Sequence, residues 1–387
     1  MREELVYVDR RGTNCYKWDA PAKAYPREDL LAMSTADMDF KTPLCVREAL
    51  KSYVDMGAIG YNMPSQSYWH AFLNWEKEYH NTDIPREWIR YAPGVVVAIA
   101  WLLEQLTVPG DSGIILTPVY GPFAGMLRQH GLNTVCSELK NEHGVYSIDF
   151  EDFEAKIAEH QVKVFLLCSP HNPVGRVWTK EELTRLTDIC RRHGVFVLSD
   201  EIHQDIIMPG HEQISILNAA EDNEQVVLMT STAKSFNLAG VENAFMVIPN
   251  KELRDKIDAL QDRIATHSGN GLGYVAVEAA YSGGRPWLDA VCEQVHENYL
   301  YLRDRLMTAL PRLEISPLEG TFLMWINLSA YLQEGDDPQK MLAERCGLIL
   351  NSGTFFGSGY QNFVRLNLAT SRENVISAAD RIIGLFA

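Results

Sequence analysis

The sequence predicts an α/β fold in which a buried, mainly parallel sheet is covered by helices and followed by a smaller α+β unit. Three observations carry this. Between about residues 94 and 250, short runs that are apolar on both faces alternate with longer amphipathic stretches, as parallel strands and their covering helices do. After about residue 275 the order becomes one long helical stretch and then strand, turn and strand. The chain has 387 residues, 46% of them hydrophobic, enough for a large core divided over two or more domains.

Taken in order, the strand candidates are GIILTPVY (113–120), VKVFLLCSP (162–170), GVFVLSDE (194–201) and QVVLMTST (225–232). Between the second and third, Thr179 followed three residues on by Glu182 has the pattern of a capping box, and His193-Gly194 supplies a stop for the helix. Tyr120, Asn172, Asp200 and Lys234 each fall where one of these runs turns polar. Ligands of open α/β sheets collect at the carboxyl ends of the strands, so these four residues are expected to face one crevice. Downstream, 286–310 reads as a long helix, 314–328 as strand, turn and strand, and 362–370 as a strand before a helix that starts near Ser371. The expected division is a large domain over 46–275 and a small one built from 1–45 and 276–387.

A net charge of −16 argues against nucleic acid or an anionic membrane as the main partner, because both would repel the chain at long range. The seven cysteines show neither CxxC spacing nor clustering with histidine, which points away from a disulfide framework or a metal site and towards a reducing compartment. The first residues lack the apolar core of a secretory signal and no stretch approaches the ~18 apolar residues of a membrane span, so the expectation is a cytoplasmic protein.

Singly, the polar residues have ordinary readings. Lys234 is a loop lysine, Asp200 a helix cap, Asn172 part of a Pro-rich turn, Tyr120 a strand-end core residue, His203 a core or surface histidine, and Arg365 one half of a structural salt bridge. Gly94-Val95-Val96 before an amphipathic stretch matches a helix start able to seat an anion, though a glycine there is common.

In their order and spacing, Tyr61, Gly94 to Val96, Tyr120, Asn172-Pro173-x-Gly175, Asp200-x-x-His203, Ser231-x-x-Lys234 and Arg365 resemble the aspartate aminotransferase superfamily, the class I/II, fold type I enzymes dependent on pyridoxal 5'-phosphate (PLP). Within it, TADMDFKTP (35–43), TPVYGPF (117–123), SPHNPVGRVWTKEEL (169–183), SDEIHQD (199–205), AKSFNLAG (233–240) and EGTFLMW (319–325) look like the carbon–sulfur lyase branch, the MalY/PatB-type cystathionine β-lyases.

The resemblance implies a PLP-dependent transferase fold whose large domain holds a mainly parallel seven-stranded sheet. It makes Lys234 the covalent attachment point and proton-transferring base, Asp200 the carboxylate beside the pyridine nitrogen, and Tyr120 the aromatic stacked on the ring. Asn172 and His203 would serve the phenolic oxygen, Gly94, Val95, Val96 and Ser231 the phosphate, and Arg365 the substrate carboxylate. Tyr61 would cross to the neighbouring site of a homodimer and, with Asn172, border the substrate. The implied reaction is α,β-elimination from L-cystathionine or another S-substituted L-cysteine, giving a thiol, pyruvate and ammonia. The alternatives are an aminotransferase for an apolar or aromatic amino acid and a regulatory binding protein of the same fold. Two positions depart from the pattern. Glu242 stands where many relatives have a basic residue near the phosphate, and Ser34-Thr35 replaces a Trp-Val pair by the substrate entrance.

Overall fold

The structure is a computed structural model that describes residues 3–266 and 268–387. In chain order its strands are β1 (Leu31–Ala32), β2 (Ile89–Ala92), β3 (Ser112–Thr117), β4 (Asn133–Glu138), β5 (Lys140–Glu142), β6 (Val145–Ser147), β7 (Val164–Cys168), β8 (Phe196–Asp200), β9 (Val226–Thr230), β10 (Ala244–Val247), β11 (Glu314–Ile315), β12 (Leu323–Asn327), β13 (Leu348–Ile349), β14 (Asn351–Ser352) and β15 (Phe363–Asn367). Seven of them form one sheet in the order β2-β10-β9-β8-β7-β3-β4. The pairs from β9 to β4 are parallel, and β10 is antiparallel to both its neighbours.

Burial on both faces explains the unbroken apolar runs. In β7, Phe165 and Leu167 face one core, with the Gln66–His80 and Gly271–Gly283 helices, while Val164 and Leu166 face another, with the Val95–Leu106 and Lys251–Arg263 helices. A fully buried branched side chain stabilises by about 1.5–3 kcal/mol, so a charge inside these runs has little chance of being tolerated and polar residues are pushed to the strand ends. The helix after β7 spans Lys180–His193 and starts at the capping box that Thr179 and Glu182 form, closing at Gly194 in the left-handed conformation (φ 69°).

A second sheet, β11-β12-β15-β14, is antiparallel and follows the 25-residue helix Arg285–Ala309. The N-terminal segment runs over it. β1 pairs in parallel with β13, Leu31 opposite Leu348, and the Asn367 amide donates to the carbonyls of Thr35 and Asp37. Underneath, the fully buried Lys17 ammonium contacts Asp39 at 2.7 Å, a pairing that a charge so far from water requires. Among the described residues all seven cysteines are free and no helix is long and apolar enough to cross a membrane.

Candidate active site

The carboxyl ends of β3, β7, β8 and β9 open onto one cavity of about 540 Å³, and Tyr120, Asn172, Asp200 and Lys234 all line it. The chain reaches this arrangement by short, well-fixed turns. After β7, residues 171–176 fold back on themselves, His171 and Arg176 bridging and Gly175 taking a left-handed conformation (φ 76°) against the Pro317 carbonyl. Arg176 then ties the turn down through Glu319 and Glu182, each at 2.9 Å. Asn172 is thereby held buried at the cavity wall.

Arg365, on β15, comes from the second sheet and is 3% exposed. Its guanidinium donates to the Asn172 side-chain oxygen (3.0 Å), the Ser34 carbonyl (2.8 Å) and the Asn351 side-chain oxygen (2.6 Å). All three acceptors are neutral, and Nε has no partner. Among the described residues no carboxylate pairs with it, so the structural salt bridge that the sequence left open is not what holds Arg365. Burial lowers its pKa to about 10, which still leaves it charged. A buried guanidinium without a counter-ion is a site for an anion. The Asn172 contact also orients that amide, because with its oxygen turned to Arg365 the NH2 group is left without an acceptor among the described residues.

Lys234 lies in the one-turn helix Thr232–Ser235 and its Nζ donates to the Ala36 carbonyl (2.6 Å). Burial depresses its pKa, with Arg365 adding to the effect while Asp37 and Asp200 oppose it, so the amine is easier to deprotonate than a surface lysine. Among the described residues the Asp200 carboxylate accepts only the Ile202 N–H (3.1 Å), and burial raises its pKa to about 6 against the pull of that bond and of Lys234. His203 is 3% exposed with Nδ1 unpartnered, and burial together with Lys234 and Arg365 holds its pKa well below the usual value, so its ring is neutral.

At the other end of the cavity, the Val95–Leu106 helix begins at Gly94 with no side-chain cap, leaving its first backbone N–H groups open. Gly94 itself has an extended backbone, and a Cβ there would meet nothing within 4 Å. Ser231 lines the same region, but its hydroxyl donates to the Asn243 carbonyl (2.6 Å) and accepts from the Ala233 N–H. It thus offers a lone pair, not the free donor the sequence suggested, until the hydroxyl turns. Glu242 takes a left-handed conformation (φ 51°) that leaves its side chain exposed at the cavity rim.

A match to the family model "Aminotransferase class I and II" covers residues 28–382, which include every group just described. The chain belongs to this family. Its similarities within the aminotransferase class I and II family include "Cystathionine beta-lyase PatB" of Bacillus subtilis, 35% identical and covering 97% of both chains. A PLP-bound putative aminotransferase from Clostridium difficile superposes with a TM-score of 0.95 at 36% identity over 99% of each chain. Cystalysin from Treponema denticola, which contains PLP, gives 0.95 at 31% identity over 100% of this chain and 98% of that one. The remaining cavity wall includes Tyr16, Asn351 and Phe355, which sequence reasoning missed. These come from the start of the Tyr16–Ala24 helix, from β14 and from the turn after it, where nothing local signals a ligand. Tyr61 does not line the cavity of its own chain and is fully exposed.

Proposed function

We propose that the protein is a PLP-dependent carbon–sulfur β-lyase that cleaves S-substituted L-cysteines to a thiol, pyruvate and ammonia, water being the second substrate. The observation that carries this reading is the facing of a depressed-pKa lysine and a guanidinium without a carboxylate partner across one cavity. The resident groups fit PLP. The open N–H groups at Gly94, Val95 and Val96 suit its phosphate, the under-bonded Asp200 carboxylate a protonated pyridine nitrogen, the free Asn172 NH2 and neutral His203 its phenolic oxygen, and the Tyr120 ring its face.

Bound PLP supplies an electron sink for charge developing at the substrate α-carbon. Arg365 takes the α-carboxylate and so orients the α-hydrogen towards Lys234. The Lys234 amine would hold the cofactor and, once freed by the incoming amino group, would serve as the base for the α-proton. Departure of the thiolate from the β-carbon completes the elimination. Choosing elimination over transamination rests on the relatives described as cystathionine β-lyase and cystalysin.

Tyr61 is read as closing the phosphate end and the substrate rim of a neighbouring subunit in a homodimer. The support is a run of exposed apolar side chains around it, Val54, Met56, Ile59 and Met63, more than an isolated chain ordinarily shows to water. The large domain is read as 46–275 and the small one as 1–45 with 276–387, and the protein as cytoplasmic.

The test is to supply PLP-loaded protein with L-cystathionine and S-alkyl-L-cysteines without any 2-oxo acid and to measure pyruvate and free thiol together. Equal release of both is expected, with Lys234→Ala lowering it by at least ~10³-fold. Turnover that appears only when a 2-oxo acid is added would make the protein an aminotransferase.

A further inference from the structure

Five residues beyond Asp200, which ends β8, the following loop carries another buried acid, Asp205, that does not line the cavity. The Asp205 side chain is 1% exposed. Its Oδ2 accepts the Ser235 hydroxyl at 2.5 Å, and its Oδ1 accepts the Trp75 indole N–H at 2.8 Å and contacts His80 Nε2 at 2.7 Å. The three partners come from two other segments. Trp75 and His80 lie on the Gln66–His80 helix, and Ser235 is the residue next to Lys234.

The segment that bears Lys234 needs such an anchor. Thr232–Ser235 is a single helical turn, too short to persist on its own hydrogen bonds, so its position is set by tertiary contacts at its ends. One is Ser231, bonded to the Asn243 carbonyl, and the other is Ser235 on Asp205. Consecutive Cα atoms are about 3.8 Å apart, so any shift of Ser235 is transmitted to Lys234. Asp205 in turn lies on the loop that follows Asp200 and presents His203 to the cavity.

We propose that Asp205 is a positioning residue, which through the Ser235 hydroxyl fixes Lys234 at its working distance from Asp200 and His203. This rests on the lyase reading above, and the experiment separates the two. Ser235→Ala removes one hydrogen bond and leaves the Asp205–His80 and Asp205–Trp75 contacts in place. In PLP-loaded protein it is expected to lower kcat roughly tenfold with KM within about twofold. It is also expected to move the pH midpoint of the visible absorption of the lysine-bound cofactor, because the amine has shifted relative to Asp200 and Arg365. Ser235→Thr, which restores the hydroxyl, is expected to return kcat to within about threefold of the native value.

A purely structural Asp205 would lower the melting temperature of Ser235→Ala while leaving kcat and the titration unchanged, and that result overturns the proposal. So does a Ser235→Thr variant as slow as Ser235→Ala. Native protein that takes up no PLP defeats the lyase reading itself, whereas loaded native protein indistinguishable from loaded Ser235→Ala defeats only the positioning role.

Discussion

Asp200 ends β8 and Asp205 lies on the loop that follows, both at nearly the same burial, yet their surroundings push them in opposite directions. Asp200 faces the cavity with one backbone donor, and burial lifts its pKa to about 6. Asp205 faces the interior; burial also works against its charge, but the His80 hydrogen bond and charge, with Ser235 and Trp75, hold its pKa below the usual carboxylate value. Partner count, not depth, decides the sign. The first carboxylate is under-satisfied until a cation arrives, and the second is satisfied by the protein alone. Binding capacity and structural integrity have been divided between two acids of the same type.

The difference breaks most visibly at Asp200. Asp200→Asn is expected to lower kcat/KM by roughly 10²–10³-fold, since the amide no longer holds the pyridine nitrogen protonated. The same change is expected to stabilise the cofactor-free fold at pH 8. The folded pKa of Asp200 is raised above its ordinary 3.8, so its contribution to stability is present in full below that value and lost as pH rises through about 6. Replacing the carboxylate removes that penalty, by about 3 kcal/mol. Denaturant unfolding of the apo forms measures it, and an apo variant less stable than native would show that Asp200 is satisfied by the protein after all.

The interior network has its own pH signature. Burial raises the pKa of Glu76 to about 7 and of Glu201 to about 8. At His80 burial opposes the charge, but Glu76 and the bonded Asp205 outweigh it and raise the value to about 9. All three folded values lie above the ordinary ones, 4.5 for the glutamates and 6.5 for His80, so their stabilisation is complete below about 4.5 and is lost as pH climbs from there through about 9. Stability of the apo protein is therefore expected to fall over that window, and Glu76→Gln to flatten its lower part. A profile flat to pH 9 would remove the ionised network from the comparison.

The smallest expected effect concerns the cavity's open side. Tyr61→Phe is expected to raise the PLP dissociation constant roughly tenfold, the loss of one hydrogen bond to a charged group, while leaving the melting temperature of the apo protein unchanged because the ring is exposed in the single chain. Equal affinity in both forms would remove Tyr61 from the phosphate end.

The cavity half of this pair was legible in the sequence, and the interior half was not. A sheet buried on both faces forces apolar runs with abrupt polar ends, so Tyr120, Asn172, Asp200 and Lys234 announced themselves by position. Ser34-Thr35 stood out against the family pattern and does border the site, Ser34 through its carbonyl on Arg365. Asp205 carried no such mark. Its meaning depends on Trp75 and His80, more than a hundred residues away, and on which way Ser235 points. Arg365 was legible as half of a salt bridge or as a carboxylate-binding cation, but that its acceptors are all neutral is a fact of three-dimensional packing.

The pairing of β1 with β13 bears on the order in which the molecule is completed. Leu31 meets Leu348, and the segment just beyond β1 supplies the carbonyls that hold Lys234 and Arg365. A chain emerging from the ribosome can assemble the seven-stranded sheet well before its last residues are made, since domains form as they become available. β1 itself has no strand partner until β13 appears, and closing so long a loop is among the slowest contacts a chain makes. The strand pairing that completes the strap beside Lys234 is thus among the last contacts the chain can make.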